Sequence, residues 1–209
     1  MKKIDFKMNK IILINPPSDI KVIREGRCEQ RADSYQYLMV PISLPSTAAV
    51  LRKEGFDVGI LDCIADDISF GMLKNILEKE KPFLVIVNVA TMSFEKDKKT
   101  AELCKELEIP VAAMGMHVTT LSDEVLKESE FNYAIRGEPE ITSLNLAKAL
   151  RKKKPLNKVL GVSYKKDGKI YHNKEAPLIK NLDNLPFPAR DLLHNEKYIE
   201  PLTQTPYTL

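Results

Sequence analysis

A short polar motif in the middle of the sequence contains residue types that are suited to holding a ligand. Gly-Met-His-Val-Thr-Thr (115–120) follows the apolar run 109–114 and carries His117, one of three histidines in the chain. Glycine lets the backbone approach a ligand closely, while imidazole and hydroxyl groups donate and accept hydrogen bonds. We therefore consider His117 and the following Thr119 as binding residues. The alternative is that His117 is a surface side chain bonded only to backbone.

Three further polar motifs follow apolar runs in the same way. Prolines stiffen the first, small and hydroxyl-bearing residues make up the second, and a glycine separates two charged residues in the third. Their candidate binding residues are Asn15, Pro16 and Pro17, then Asn88 and Thr91, then Arg136, Gly137 and Glu138. In the third motif a salt bridge beside a helix N-terminus is the alternative interpretation. The polar stretch from Ser18 to Val40 is long enough to be either functional or disordered.

Several common chemistries lack their residue patterns here. The sequence contains neither Gly-x-Gly-x-x-Gly nor Gly-x-x-x-x-Gly-Lys-Ser/Thr, so it gives little support for a dinucleotide or a triphosphate as ligand. His117, His172 and His194 lie on separate segments, and no spacing indicates a serine or cysteine nucleophile. The residues alone predict a binding cleft for an unnamed ligand.

Composition excludes some classes of partner. The net charge is only +3, and the basic run 151–154 is typical of a solvated helix end, so we expect no nucleic-acid partner. No apolar stretch reaches the roughly 18 residues that cross a bilayer, so we expect no membrane partner. The odd number of widely spaced cysteines, Cys28, Cys63 and Cys104, predicts a reducing, cytoplasmic location without disulfides.

Alternating patterns over the first 140 residues predict the fold. Five apolar runs read as buried strands, and the segments between them have helical spacing. The predicted strands are Ile11 to Asn15, Asp57 to Asp62, Phe83 to Val89, Val111 to Met114 and Tyr133 to Arg136; the predicted helices lie at 44–54, 72–77, 101–107, 125–126 and 138–150. This order predicts an α/β, flavodoxin-like (Rossmann-like) doubly wound sheet of five parallel strands. Such sheets bind ligands outside the carboxyl ends of their strands.

The pattern changes after Lys154. The dipeptide Asp167-Gly168 between two short apolar runs predicts a β-hairpin, which we expect to lie outside the main sheet. A proline-rich segment follows the hairpin. We therefore divide the chain into an α/β domain at 1–154 and a hairpin with a linker at 155–209.

Five motifs, taken in order, resemble those of a known family. They are Ile-Asn-Pro-Pro (14–17), the segment 41–63, the motif 115–120, Ala-Ile-Arg-Gly-Glu-Pro-Glu (134–140) and Asn-Leu-Pro-Phe-Pro-Ala-Arg-Asp-Leu-Leu (184–193). Their order resembles the N-terminal half of cobalamin-dependent radical S-adenosylmethionine (radical SAM) enzymes. The resemblance covers nearly the whole chain, and the ordered set is more specific than any single motif.

The resemblance implies a cofactor and a partner. In that family a flavodoxin-like domain holds cobalamin between its strand-end loops. A partial barrel follows, with a Cys-x-x-x-Cys-x-x-Cys motif for a [4Fe–4S] cluster that works with S-adenosylmethionine. Many members transfer methyl groups, and others close or rearrange rings. The implied partners are cobalamin and a radical SAM barrel, in cis or in trans.

The resemblance also carries over to particular residues. The family loop Gly-Gly-x-His-x-Thr falls on Met114, Gly115, Met116, His117, Val118 and Thr119. It implies polar contacts from His117 and Thr119 to the amide and phosphate fringe of cobalamin, with Asn88 and Thr91 where related domains often carry a serine. Met114 departs from the first glycine of the pattern.

Two departures leave alternatives open. Asn15-Pro16-Pro17 replaces the Asp-x-His-x-x-Gly motif that supplies a cobalt ligand in other cobalamin domains, so no histidine is expected below the cobalt from that loop. The cysteine triad is absent, so this chain by itself is expected neither to hold the cluster nor to catalyse. A cofactor-free docking or regulatory module of the same fold is the alternative function. A phospho-acceptor domain lacks its aspartates, since Asn15 and Asn88 stand at those positions.

Overall fold

The computed structural model describes residues 7–18, 22–24, 30–31, 38–199, 203 and 205–206. Most of the polar stretch 18–40 and the C-terminal end of the linker therefore lie outside the described residues. Within the polar stretch, the described residues are Ser18, two short strands with Arg24, and the segment 38–40.

Strands and helices alternate as the sequence patterns predict. The strands are β1 (Lys7–Asn15), β2 (Val22–Ile23), β3 (Gln30–Arg31), β4 (Asp57–Asp62), β5 (Pro82–Asn88), β6 (Val111–Met114), β7 (Tyr133–Ile135), β8 (Val162–Lys166) and β9 (Lys169–His172). The helices are α1 (Ser43–Lys53), α2 (Phe70–Glu80), α3 (Phe94–Glu106), α4 (Met116–Thr120), α5 (Ser122–Glu128) and α6 (Pro139–Arg151). All five predicted strands and all five predicted helices are present, with most ends shifted by a few residues; α3 begins at Phe94, seven residues before its predicted start. α4 is an addition, because the motif 115–120 was expected to be a loop.

Local chemistry explains several of these boundaries. Ser69 caps α2 by accepting a hydrogen bond from the backbone N–H of Met72 at 3.3 Å. Pro139 occupies the first turn of α6, where its missing N–H costs nothing. After α1, Gly55 adopts a positive φ of 83°, which ends the helix as the sequence predicts.

The main sheet has the strand order β4-β1-β5-β6-β7-β8-β9. The first five of these strands are parallel. Taken in chain order, they follow the flavodoxin order 2-1-3-4-5. The predicted five-stranded, doubly wound parallel sheet is therefore confirmed.

The predicted hairpin is present, but its expected position outside the sheet is wrong. β8 pairs antiparallel with β7, Tyr133 facing Tyr164, and β9 pairs with β8. β7 would otherwise be an open edge whose N–H and C=O groups lack partners, and β8 satisfies them. The result is a mixed sheet of seven strands.

Alternate residues of each strand supply the two cores. Ile11 and Leu13 of β1 face α1 and α6, while Ile12 and Ile14 face the opposite layer, where α2, α3 and α5 pack. Three residues of the linker, Ala189, Leu193 and Tyr198, are buried in the first of these cores. The linker therefore packs against the α/β sheet over this part of its length.

Candidate functional site

The carboxyl ends of β1 and β5 form the point at which the strand order reverses. β1 connects toward β4 on one side, whereas β5 connects toward β6 on the other. Ile14 of β1 pairs with Val87 of β5, which places the next residues, Asn15 and Asn88, side by side. Both side chains are buried. Open α/β sheets bind ligands at this point, so the predicted residues Asn15 and Asn88 occupy its centre.

Asn15 belongs to a buried hydrogen-bond network. Its Nδ2 donates to Asp62 Oδ1 at 2.8 Å, and its Oδ1 is buried without a partner. Asp62 ends β4 and also accepts from the hydroxyl of Tyr198 at 2.7 Å and from the backbone N–H groups of Ile64 and Ala65. Burial raises the pKa of the Asp62 carboxyl, and its four hydrogen-bond donors act against that shift.

Asn88 is held by a second buried network. The guanidinium of Arg24 forms a bidentate pair with Asp97, at 2.6 and 2.9 Å, and donates to the backbone oxygen of Asn88 at 3.0 Å. Asp97 also accepts from the backbone N–H of Ala90 and from the hydroxyl of Ser93. This ion pair fastens the segment after β1 to the end of β5 and to α3.

In the motif 115–120, the glycine immediately precedes a short helix. Gly115 has φ 120° and ψ 177°, and the five following residues form α4. A Cβ at this position would lie 2.5 Å from the backbone oxygen of Val89 and 3.0 Å from Asn88 Oδ1. The loop after β5 therefore occupies the space that a side chain would need. From the sequence we expected the glycine to let a ligand approach the backbone. In the structure it lets the segments after β5 and β6 approach each other.

His117 is buried, so its interpretation as a surface side chain bonded only to backbone is wrong. Only 5% of its surface is exposed, and its Nδ1 lies 3.2 Å from Thr91 Oγ1. Its ring contacts Phe94 with centroids 4.6 Å apart. The Nε2 is buried without a hydrogen-bond partner in the structure. Two predicted site residues, His117 and Thr91, thus meet across 26 positions of sequence.

Thr119 joins two strand ends. Its hydroxyl donates to the backbone oxygen of Gly115 at 3.0 Å and accepts from the N–H of Gly137 at 3.0 Å. The ends of β6 and β7 are held together through this contact. Next to it, Met116 exposes 55% of its surface, so its side chain is open to a ligand.

Arg136 and Glu138 point toward the hairpin and linker. The guanidinium of Arg136 donates to the backbone oxygen of Asn173, and the carboxylate of Glu138 accepts from the N–H of Ile179 at 2.6 Å. The alternative of a salt bridge between them is therefore wrong. The side chain of Arg136, a candidate binding residue, is engaged by the segment after β9.

Pro16 and Pro17 are buried behind Asn15 at the end of β1. Exposed apolar side chains lie at the same edge of the sheet: Met92 after β5, Met116 after β6, and Ile42 beside Ser43, whose hydroxyl accepts from Asn88 Nδ2 at 3.4 Å. This edge therefore combines buried polar groups with exposed apolar ones, as small-molecule sites do.

Met114 stands where the family loop pattern has its first glycine. Its side chain is buried in the core with Ala112 and Ile86, so it does not take up space at the carboxyl edge of the sheet. The remaining cysteines of the described chain, Cys63 and Cys104, are buried and unpaired. In the described residues no group of three or more His, Cys, Asp or Glu side chains could hold a metal ion.

A Ser–His–Asp contact on the hairpin was not foreseen from the sequence. Ser163 Oγ lies 2.8 Å from His172 Nδ1, and His172 Nε2 lies 3.5 Å from Asp123 Oδ1. Ser163 is completely buried, and its hydroxyl is already paired with His172. The contact ties β8 and β9 to α5.

Four residues of the candidate site were not found by the sequence reasoning above: Asp62, Tyr198, Arg24 and Asp97. An aspartate that closes the predicted strand 57–62 was a usable signal for Asp62, since it must lie at the same edge as Asn15. The other three carry no local signal, because their partners are distant in sequence.

Strand order and these residues together define a flavodoxin-like domain with a candidate ligand site at the switch point. A family profile described as the B12 binding domain matches residues 31–147. The chain belongs to the B12-binding domain family. Cobalamin, the cofactor that the sequence implied, is the ligand of this family, and the orphaned His117 Nε2 and Asn15 Oδ1 fit a ligand rich in amide groups.

Known proteins support the same assignment. An uncharacterized methyltransferase of Pyrococcus horikoshii is 31% identical over 195 residues, covering 92% of this chain and 40% of that protein. The anaerobic magnesium-protoporphyrin IX monomethyl ester cyclase of Rubrivivax gelatinosus is 31% identical over 160 residues, covering 73% of this chain and 29% of that protein. The chain thus spans less than half the length of either relative.

The fold is shared with a radical SAM enzyme of known structure. The methyltransferase TsrM from Kitasatospora setae, solved with cobalamin and a [4Fe–4S] cluster bound, superposes with a TM-score of 0.66 at 18% sequence identity. The match covers 92% of this chain and 31% of TsrM. The flavodoxin-like fold and the cobalamin-binding family that the resemblance implied are confirmed. No helix of the described residues has the length and apolarity required to cross a bilayer.

Proposed function

We propose that this chain binds cobalamin at the carboxyl edge of β1, β5 and β6 and presents it to a radical SAM domain of the same polypeptide for methyl transfer. The observation that carries the proposal is the pair of unpartnered polar atoms, His117 Nε2 and Asn15 Oδ1, buried at the edge where this fold binds ligands. When bound, cobalamin supplies a cobalt centre that can carry a methyl group.

The residues of the edge have separate roles in this proposal. His117, Asn15 and Asn88 offer polar contacts to the amide and phosphate fringe of the cofactor, and Thr91 holds the His117 ring. Met92 and Met116 supply exposed apolar surface for the corrin. Gly115, Thr119 and Gly137 keep the strand ends together, and Pro16 and Pro17 stiffen the exit of β1. Arg136 and Glu138 fasten the hairpin and linker beside the site.

The segment Asn15-Pro16-Pro17-Ser18 contains no histidine, so it would offer the cobalt of a bound cobalamin no imidazole. The [4Fe–4S] cluster and S-adenosylmethionine require cysteines in a spacing that this sequence lacks, so we assign them to the radical SAM domain. The length of the Pyrococcus horikoshii relative favours a domain in cis, and its description favours methyl transfer. Unpaired, buried Cys63 and Cys104 are consistent with a reducing cytoplasm.

The test is a spectral titration with hydroxocobalamin. We expect saturable binding by the purified chain, with a change in the absorbance of the corrin. A flat titration would refute the proposal and favour the cofactor-free docking module.

His117→Phe tests the site within that titration. Phenylalanine keeps a ring against Phe94 and removes both nitrogens, whereas alanine would leave a cavity at this buried position. Loss of a polar contact that leaves its partner unpaired costs ~1–3 kcal/mol, which corresponds to roughly a tenfold to hundredfold weaker affinity. His172→Phe, at the exposed hairpin, is the matched control and should bind normally. Equal affinity in both variants would contradict the role of His117.

A further inference from the structure

The orientation of the Asn15 amide is set by its neighbour. Asp62 Oδ1 accepts from the backbone N–H groups of Ile64 and Ala65, at 3.2 and 3.3 Å, so this oxygen acts as an acceptor. An acceptor requires the Nδ2 of Asn15 to face it, and the two atoms lie 2.8 Å apart. The Oδ1 of Asn15 is then necessarily the free end of the amide.

That free end is a buried acceptor without a donor. Asn15 is 6% exposed, and its Oδ1 has no hydrogen-bond partner in the structure. A buried acceptor left unpaired is unfavourable, so a ligand that brings a donor to it gains affinity. The rim of a corrin ring carries primary amides, whose N–H groups are donors of this kind. The phosphate oxygens of the nucleotide tail are acceptors and cannot pair with Oδ1, whereas the ribose hydroxyls of the tail are donors; cobinamide, which lacks the tail, distinguishes these hydroxyls from the corrin amides.

The linker supports this arrangement from the other side. Tyr198 is 1% exposed, and its hydroxyl donates to Asp62 Oδ2 at 2.7 Å. Asp62 is thereby held between a residue at the switch point and a residue 136 positions later in the chain. Asp66, close to Asp62, accepts from His194 at 2.7 Å and from Lys197 at 2.9 Å, which fixes the turn that precedes Tyr198.

We propose that Tyr198 and Asp62 are positioning residues for the cofactor: they hold the Asn15 amide so that its Oδ1 accepts a hydrogen bond from a primary amide of the corrin rim. The inference rests on the proposed function and adds to it the part of the cofactor that Asn15 recognises. It also makes the linker a component of the site, since the hydroxyl that steadies Asp62 comes from the linker.

The experiment measures hydroxocobalamin affinity for Tyr198→Phe, Asn15→Ala and the double variant in the full chain. Tyr198→Phe removes only the hydroxyl and should weaken binding about threefold to tenfold. Asn15→Ala should weaken it about tenfold or more, and the double variant should equal Asn15→Ala, because Tyr198 acts only through Asn15. Tyr171→Phe, at the partly exposed hairpin, is the matched control and should match the wild type.

Two further readouts separate positioning from general stability. Cobinamide, which keeps the corrin amides and lacks the nucleotide tail, should show the same fold-losses as cobalamin. In ¹⁵N NMR spectra the side-chain amide signal of Asn15, assigned by its loss in Asn15→Ala, should move on ligand addition and should shift in Tyr198→Phe before any ligand is added.

The outcomes are distinguishable from one another. Three outcomes would each overturn the inference while leaving cobalamin binding intact. The first is that the losses of affinity add in the double variant, and the second is that the losses occur with cobalamin but not with cobinamide. The third is that Tyr198→Phe lowers the melting temperature and leaves the affinity unchanged. A wild-type chain that binds neither corrinoid would overturn the proposed function and this inference with it.

Discussion

Replacing Gly115 by alanine is expected to destabilise the domain more than any comparable glycine substitution away from the site. The backbone at Gly115, with φ 120° and ψ 177°, lies in a region that is essentially restricted to glycine, and a side chain there costs about 1–3 kcal/mol. The added Cβ would also stand 2.5 Å from the backbone oxygen of Val89, which cannot yield as a flexible side chain would. Overpacking of this kind costs about 1–3 kcal/mol more.

Together these effects predict a loss of about 2–6 kcal/mol in the free energy of unfolding of Gly115→Ala, or roughly 4–24 °C in melting temperature. Urea denaturation followed by circular dichroism measures the loss. Gly168→Ala is the control, because Gly168 has φ 72° but nothing within 4 Å of an added Cβ. It should lose only about 1 kcal/mol. Equal losses in the two variants would refute the argument that Val89 fills the space at Gly115.

Three other perturbations have defined outcomes. Arg24→Met leaves the carboxylate of Asp97 buried without its cation. Urea denaturation should show a loss of about 3–5 kcal/mol in the free energy of unfolding. A loss below about 1 kcal/mol would mean that the ion pair is solvated. Burial raises the pKa of the Cys104 thiol to about 12 and also raises that of Cys63, so mass spectrometry should find neither alkylated by iodoacetamide in the native protein. Burial also raises the pKa of the Asp62 carboxyl above its value in the unfolded chain. Between these two pKa values the native state binds more protons than the unfolded state, so the free energy of unfolding falls as the pH rises. Asp62→Asn should remove this pH dependence, and an unchanged slope of stability against pH would contradict the assignment.

Most of the fold could be predicted from the sequence because the responsible patterns are local. A run such as Phe83 to Val89, apolar at every position, predicts a strand buried on both faces, and β5 is buried along its whole length. Pro139 and Gly55 mark helix ends through their own backbone preferences. The hairpin turn followed from Asp167-Gly168, but its docking against β7 did not, since the unsatisfied edge that attracts it exists only after the sheet forms.

The candidate site was predicted in part. Asn15, Asn88, Thr91 and His117 could be placed at one edge from the strand ends alone, because parallel strands bring their carboxyl ends together. The directions of Arg136 and Glu138 could not be, since their partners, Asn173 and Ile179, lie in a segment whose path no local pattern describes. The helix α4 was missed because five residues carry too little periodicity to distinguish a helical turn from a loop.

The sequence by itself determined the order of strands and helices, the edge at which we propose that the ligand binds and, through the order of five motifs, cobalamin as the cofactor. Only the tertiary structure decided which side chains meet there: His117 with Thr91, Arg24 with Asp97, and Asn15 with Asp62 and Tyr198. The physical reason is the sequence separation over which each kind of interaction acts. Hydrophobic period and turn chemistry act between residues a few positions apart, whereas a buried hydrogen bond across 136 positions depends on the packing of every element between its partners.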